Sequence, residues 1–230
     1  MVYYAIGDIH GELEQLKTLH RVIDNYHQEY FAGMSQVRIH LGDYVDRGPN
    51  SYGVIEYVMQ LSRRTDVTWV NLKGNHESML LDALTTKSEL ARQVWLRNGG
   101  DSTLQSYTGR GCTTIPEEHI NWLKALPSQH VDIARKLIFV HAGIDPHRFP
   151  FGNDKVHLWT RSPEFLDSQT WSNPELNGAR VVHGHTPTAD FQPFISADGR
   201  RINVDTGAVY KGFLSAAVIA DNHEIKFLNA

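Results

Sequence analysis

The strongest constraint on the fold is an alternation of apolar runs and amphipathic stretches over residues 2–72. Residues 2–6 (VYYAI) have the length and composition of a buried strand, and residues 11–30 carry Leu13, Leu16, Leu19, Val22 and Ile23 at helical spacing. A second strand is expected at 37–41 and a second helix at 51–64, where Val54, Ile55, Val58, Met59 and Leu61 share one face. Residues 67–72 predict a third strand. This βαβαβ rhythm requires a parallel sheet with right-handed crossovers. Residues 76–126 read as mostly helical, with breaks at Asn98-Gly99-Gly100 and between Gly109 and Pro116. Beyond them, strands are expected at 130–134, 137–141, 179–183, 191–195, 201–204, 213–220 and near 224–228. Ala197-Asp198-Gly199 marks one of several hairpin turns. Parallel units followed by a β-rich half suit an α/β fold with two central sheets and helices outside. No linker, repeat or low-complexity tract divides residues 1–230, so a single domain is expected. Its 76–126 segment would be a helical insertion that forms a substrate lid.

The expected strands end alike. The first runs into GDIHG (7–11), the second into GDYVDRG (42–48) and the third into GNHE (74–77). The later strands end at His141-Ala142-Gly143 and at His183-Gly184-His185-Thr186-Pro187. Carboxyl ends of parallel strands share one edge, where ligand sites form. Topology therefore gathers Asp8, His10, Asp43, Asp46, Arg47, Asn75 and His76, and brings His141 and His185 to the same place. Any one of these motifs could be a turn or a helix cap, and Asp8 alone would serve as an N-cap. Together they differ, because carboxylates and imidazoles clustered without a cation would suffer desolvation and like-charge repulsion of several kcal/mol. The donors are Asp, Asn and His, with no cysteine among them. Such a set suits Mn²⁺ above all, with Fe or Zn²⁺ as alternatives. Six ligands exceed what one catalytic ion with open positions needs, so two ions sharing a carboxylate fit better.

In order and spacing, GDIHG, GDYVDRG, GNHE, the later HAG and GHTP resemble the calcineurin-like metallophosphoesterases. More narrowly, the motifs are similar to the phosphoprotein phosphatase (PPP) type. His141-Ala142-Gly143, where the eukaryotic enzymes usually read HGG, is like the bacterial branch of small Ser/Thr protein phosphatases and diadenosine tetraphosphate hydrolases. The resemblance implies a four-layer α/β/β/α sandwich. It also implies Asp8 and His10 on a first metal, Asn75, His141 and His185 on a second, and Asp43 bridging both. A bridging hydroxide would be the nucleophile, and His76 oriented by Asp46 the general acid. Arg47 would bind phosphate oxygens, with Arg161 of "LWTR" as the second arginine. Asn75 and Asn98 are further candidates for substrate contact. The Thr186-Pro187 ending leaves His183 as a strand-end histidine or one that orients a ligand.

The remaining groups suggest structural roles. His20, His27 and His119 are expected on polar helix faces, and His40 in the core. Glu77 is expected to complement the dipole of the helix it enters, and Asp205 of "NVDTGA" to shape a loop or support a ligand. Trp95 and Arg97 could be helix packing or contacts to a substrate beyond its phosphate.

Composition narrows the function. A net charge of -4 offers no basic face for stable nucleic-acid binding. The single cysteine, Cys112, forms no internal disulfide. The N-terminus lacks the basic-then-apolar pattern of a signal peptide, and no run reaches membrane-spanning length. A cytoplasmic monomer or weak homo-oligomer is expected. The favoured function is a broad-specificity phosphatase acting on phosphoserine or phosphothreonine in proteins, or on small phosphorylated substrates. Hydrolysis of dinucleoside polyphosphates is the alternative. A non-catalytic binding module fares worse, since no expected ligand or acid position is substituted.

Overall fold

The computed structural model describes all of residues 1–230. Its strands are β1 (Val2–Ile6), β2 (Gln36–His40), β3 (Thr68–Asn71), β4 (Gln129–Asp132), β5 (Leu137–Val140), β6 (Arg180–His183), β7 (Phe194–Ile195), β8 (Arg201–Asn203), β9 (Ser215–Ala220) and β10 (Lys226–Asn229). The helices are α1 (Leu13–Tyr30), α2 (Ser51–Leu61), α3 (Asn75–Thr85), α4 (Glu89–Trp95), α5 (Asp101–Thr108), α6 (Glu117–Ala125), α7 (Asp154–Trp159) and α8 (Pro163–Leu166). One mixed sheet runs β10-β9-β1-β2-β3 and the other β4-β5-β6-β8-β7. In the first, β1, β2 and β3 are parallel; in the second, β5, β6 and β8 are parallel, with antiparallel strands at the edges.

The pleat of β1 explains the layering. All five of its residues are buried, because each face of the strand meets a different core. Val2, Tyr4 and Ile6 pack against Leu16, Leu19 and Ile23 of α1 and Val54, Ile55 and Val58 of α2. Tyr3 and Ala5 face the second sheet, where they join Val37, Ile39, Phe139, Val182 and Ile202. Alternate residues of a strand point to opposite faces, so a strand covered on both reads as a continuous apolar run. The outer face of the second sheet is covered by α8 and its neighbouring loops, through Phe165, Trp171 and Leu176. The architecture is thus two mixed sheets flanked by helices, as expected. The 76–126 insertion is packed into the helical layer, where Trp95, Tyr107, Ile115, Leu123 and Leu126 share one core with β1. No helix is long and apolar enough to cross a membrane.

His20, His27 and His119 are buried, contrary to the expectation that they lie on polar faces. Each imidazole is turned inward because buried polar partners await it. His20 meets His40 at 3.1 Å between Nε2 atoms, and His27 lies between the Tyr4 hydroxyl at 3.0 Å and the Met34 carbonyl at 3.1 Å. His119 bonds Tyr107 at 2.8 Å and Glu56 at 2.7 Å. An imidazole with both nitrogens occupied buries its ring at little cost. His40 is in the core as expected.

The inter-sheet core is narrow and closely filled, with Phe139 stacked on Tyr3 at 5.6 Å between ring centroids. Phe139→Ala should therefore lower the unfolding free energy by about 3–5 kcal/mol, read as a lower urea midpoint at unchanged m-value. A loss below about 1 kcal/mol would mean that the sheets close over the gap.

Candidate metal centre

The carboxyl ends of β1, β2, β3, β5 and β6 meet at one edge of the sandwich. The strand ends are tied together, across the sheets by two side-chain-to-backbone contacts and within the second sheet by one backbone bond. The His141 Nδ1–H donates to the Leu41 carbonyl at 3.0 Å, Gly184 N donates to the His141 carbonyl at 2.8 Å, and His185 N donates to both oxygens of Asp8 at 3.0 and 3.1 Å. Asp8 thus joins the two sheets, and it caps no helix. The backbone at this edge is unusual. Of nine non-glycine residues with positive φ, five are site residues: His10, Asp43, Asp46, Arg47 and His185. Such strain persists only where surrounding contacts over-determine it, and it concentrates at functional sites.

Two groups of metal-competent atoms form here. One is His10, Asp43 and His76, and the other is Asp43, His141 and His185; within each, the ligand atoms lie within 4.8 Å of one another. Asp43 belongs to both. Its Oδ2 stands 3.5 Å from Nε2 of His10 and 3.4 Å from Nε2 of His141, while Oδ1 accepts from the His76 backbone at 3.0 Å. Asn75 joins the second group, with Oδ1 2.8 Å from both His141 Nε2 and His185 Nδ1. Asp8 lies outside the two tight groups, and His76 stands within the first.

The donor chemistry fits divalent cations. His10 Nδ1–H donates to the Val45 carbonyl at 2.9 Å, so its Nε2 presents a lone pair to the cluster. His141 is held the same way by Leu41, and its bare Nε2 faces Asn75 Oδ1, Asp43 Oδ2 and, at 3.2 Å, His185 Nδ1. More lone pairs converge than protons are present to separate them. The other nitrogen of His185 is buried without any partner. A backbone bond that fixes the far nitrogen is how proteins orient metal-binding histidines.

Electrostatics agree. Asp8, Asp43, Asp46, Glu77 and Asp205 are all buried. Burial first, then Asp205 and Asp43, pushes Asp8 well above the ordinary carboxylate range; burial and Glu77 do the same to Asp43. Asp205, whose charge bears on Asp8, is itself raised to about 6 by burial. So many buried carboxylates call for cationic charge. The imidazoles do not supply it, because burial lowers His10 well below its usual value and takes His141 to about 3.

His76 is held differently. Its Nδ1 lies 2.7 Å from Asp46 Oδ2, which leaves Nε2 for the cluster, and its ring meets that of His10 edge-on at 4.6 Å. Asp46 also accepts from Trp95 Nε1 at 2.9 and 3.1 Å and from Thr103 Oγ1 at 2.7 Å. Burial pushes the Asp46 carboxyl up to about 7. Every donor around it nevertheless points at its oxygens, which favours the anion. Burial, followed by the charge of Arg47, lowers His76 to about 3.

Several of these partners were missed in the sequence. Trp95 and Thr103 flank Asn98-Gly99-Gly100, which is neither a plain helix end nor a detached flap. It is a kink between α4 and α5 with Gly99 at φ 99°, and its Gly99 carbonyl accepts from Arg47 N at 3.1 Å. A Cβ on Gly99 would stand 2.9 Å from that nitrogen. Glu77 exceeds its expected helix-end role. It accepts from the N-cap nitrogen of Gly74 at 2.8 Å and from the backbone nitrogens of Asp43 (2.8 Å), Tyr44 (2.8 Å) and Val45 (3.3 Å). Its place in GNHE was the only available signal.

The arginines are exposed at the rim. Arg47 reaches Nε2 of His10 at 2.7 Å and lies over the Tyr210 ring at 5.8 Å. Arg161 Nε donates to Thr186 Oγ1 at 2.9 Å, beside His185. Asn98 is exposed, and its amide turns back onto the Val94 carbonyl at 2.8 Å, away from the cluster. His183 stands behind the site, its Nδ1 3.1 Å from the Gly184 carbonyl and its Nε2 3.0 Å from Arg201.

A mixed two-sheet sandwich with acid and imidazole ligands at its strand ends defines a metal-binding phosphoesterase. A family model described as calcineurin-like phosphoesterase matches residues 1–223, and the chain belongs to that family. It is 28% identical over 229 residues to the asymmetrical bis(5′-nucleosyl)-tetraphosphatase PrpE of Bacillus cereus, covering 94% of this chain and 89% of that protein. Among solved structures, a candidate diadenosine tetraphosphatase superposes with a TM-score of 0.65 at 24% identity, over 100% of this chain and 93% of that one. The cold-active protein-tyrosine phosphatase of a Shewanella species gives 0.63 at 19% identity, over 96% and 76%. At those identities the two structures speak for the fold alone.

Glu77→Gln turns an NH₂ toward backbone N–H donors. It should cost about 1–3 kcal/mol of stability and weaken Mn²⁺ uptake in calorimetric titration. A Mn²⁺ isotherm matching that of the parent would show that the loop holds without it.

Proposed function

We propose that this phosphoesterase hydrolyses dinucleoside polyphosphates at a two-metal centre. The observation that carries the chemistry is the Asp43 carboxylate, whose Oδ2 stands between His10 and His141. The substrate class is supported by the 28% identity to a bis(5′-nucleosyl)-tetraphosphatase across nearly the whole chain. Exposed Tyr210 and Trp159 beside the cluster are also suited to planar groups.

Asp8, His10 and Asp43 would hold one cation, and Asp43, Asn75, His141 and His185 the other. Mn²⁺ is the first choice for this oxygen and nitrogen set. Bound divalent cations supply Lewis-acid charge to phosphoryl oxygens and make water more acidic. Arg47 and Arg161, on either side of the cluster, would clamp phosphate oxygens with planar, paired donors. His76, which burial and Arg47 hold neutral, would need the Asp46 carboxylate on Nδ1 to carry the proton for the leaving oxygen at Nε2. Trp95 and Thr103 fix Asp46 in turn, so the 95–103 segment acts by positioning. The partner would be a small polyphosphate ligand met by a monomer or weak homo-oligomer.

A second reading is hydrolysis of phosphomonoesters, phosphoserine and phosphothreonine included. The unbroken GDIHG, GDYVDRG and GNHE motifs favour it. A side-by-side assay with Mn²⁺ separates the two. Diadenosine tetraphosphate should be turned over with the highest kcat/KM, above a phosphopeptide and p-nitrophenyl phosphate. Preference for the phosphopeptide would transfer the assignment to the second reading.

Asp43→Asn should abolish both Mn²⁺ binding and turnover. Retention of two bound ions per chain by elemental analysis would sink the bridging role. His76→Asn should keep its metals while turnover of poor leaving groups falls about 10²-fold or more. Loss of metal from that variant would instead make His76 a ligand, as its place in the first group allows.

A further inference from the structure

The loop that follows β8 presents an exposed aromatic ring on a closely braced turn. Thr206 Oγ1 bonds the Phe213 carbonyl and lies 2.7 Å from Ser215 Oγ, which closes the neck of the loop. Tyr210 N and Gly212 N both donate to the Gly207 carbonyl, at 2.9 and 3.2 Å. Gly207 has φ 68°, and a Cβ on Gly212 would stand 1.7 Å from the Thr206 carbonyl oxygen, so a side chain at either would strain or block the turn. Gln15 of α1 ties the loop down twice: Nε2 donates to the Ala208 carbonyl at 3.0 Å, and Oε1 accepts from Leu214 N at 2.9 Å. Ala208 is itself buried in the helical core. Tyr210, near the apex of this turn, is 55% exposed.

That ring stands one side chain away from the metal ligands. The Arg47 guanidinium lies 5.8 Å from the Tyr210 ring centroid and reaches Nε2 of His10 at 2.7 Å. Arg47 therefore spans the distance between the first metal group and the ring. An aromatic group already fixed by its backbone has little freedom left to lose when a planar ligand covers it, which is how preorganisation adds affinity.

We infer that Tyr210 is the platform on which one base of the substrate stacks, the base of the nucleotide whose phosphate Arg47 receives. A base joined to its phosphate through a ribose clears the guanidinium and covers the ring beyond it. A ring bonded directly to the phosphate oxygen, as in an aryl ester, stays over the cluster and short of Tyr210. Inorganic phosphate meets Arg47 alone. Stacking tolerates any base, since every base has a π-face, so Tyr210 selects nucleotides over other phosphates without choosing among bases. The inference rests on the dinucleoside polyphosphate reading and adds the residue that recognises the nucleoside.

Tyr210→Ala and Tyr210→Phe test it on the Mn²⁺-loaded protein, and the exposure of the ring means that neither opens the core. Tyr210→Ala should lower the selectivity ratio, kcat/KM for diadenosine tetraphosphate over that for p-nitrophenyl phosphate, about 10-fold, the loss of one base stack. Tyr210→Phe should retain the ratio. Loosening of Arg47 alone would slow both substrates together and leave the ratio unchanged, against the inference. Competitive inhibition gives a second readout: adenosine monophosphate should inhibit the parent more tightly than inorganic phosphate, and Tyr210→Ala should erase that advantage. An advantage absent from the parent refutes the stack. A parent that cleaves diadenosine tetraphosphate, with a Tyr210→Ala variant that keeps both ratio and advantage, refutes it too and leaves the proposed function standing. A Tyr210-dependent advantage in a protein that cleaves only phosphomonoesters keeps the platform and removes the function. Loss of the advantage in Trp159→Ala but not in Tyr210→Ala would put the base beside His185, against the inference.

Discussion

The active edge depends on one buried carboxylate that touches no expected substrate. Glu77 takes backbone N–H groups from Asp43, Tyr44 and Val45 on one loop and from Gly74 on the next. Those donors would otherwise be orphaned, because Asp43 at φ 53° lies outside both helix and strand. Burial raises Glu77 to about 7, and the backbone hydrogen bonds oppose that rise. A fully satisfied buried anion of this kind rigidifies its surroundings. Asp43 is consequently held between two imidazoles by its backbone, before any cation is considered.

The same logic extends outward through Asp46. Its carboxylate ties together three segments far apart in sequence: the loop after β2, the start of α3 and the 95–103 turn. The Asp46 backbone nitrogen also donates to Thr103 Oγ1 at 2.9 Å and to Ser51 Oγ at 3.2 Å. The helical insertion is therefore a wall of the site. Movement of α4 or α5 would tilt the His76 ring, since its Nδ1 partner would move with them. Arg47 shares this anchoring through the Gly99 carbonyl, so the proposed phosphate-binding and proton-donating groups would sit on one mechanical unit.

How much of this was legible in the sequence follows from the range of each interaction. Strand ends were readable because a glycine, an acid and an imidazole at fixed local spacing mark them, and every strand appears within a few residues of its expected place. Asn75, His141 and His185 converge as topology required. What failed to show were contacts set by packing. His20, His27 and His119 sit at helical positions compatible with either face, and only the polar partners packed opposite them, an imidazole for His20, a hydroxyl and carbonyl for His27 and a hydroxyl and carboxylate for His119, decide the matter. Trp95 looked like surface packing because its indole partner, Asp46, is 49 residues away. Asp205 was expected to shape a loop or support a ligand, and its carboxylate accepts from Gly207 N within the loop after β8 while its charge bears on Asp8.

Arg47 and His10 expose the remaining competition at the site. The Nε2 lone pair of His10 now meets the Arg47 guanidinium at 2.7 Å, and one lone pair cannot serve both an N–H donor and a cation. Arg47 is exposed and its backbone is pinned by Gly99, so only its side chain is free to choose. A guanidinium that releases His10 stays on the rim beside Tyr210, where its donors are available to phosphate oxygens. In the proposed function, metal binding at His10 and phosphate binding by Arg47 would thereby be coupled through one side chain. Lysine could not substitute, because the arrangement needs a planar head that spans an imidazole, an aromatic face and an anion without losing its charge.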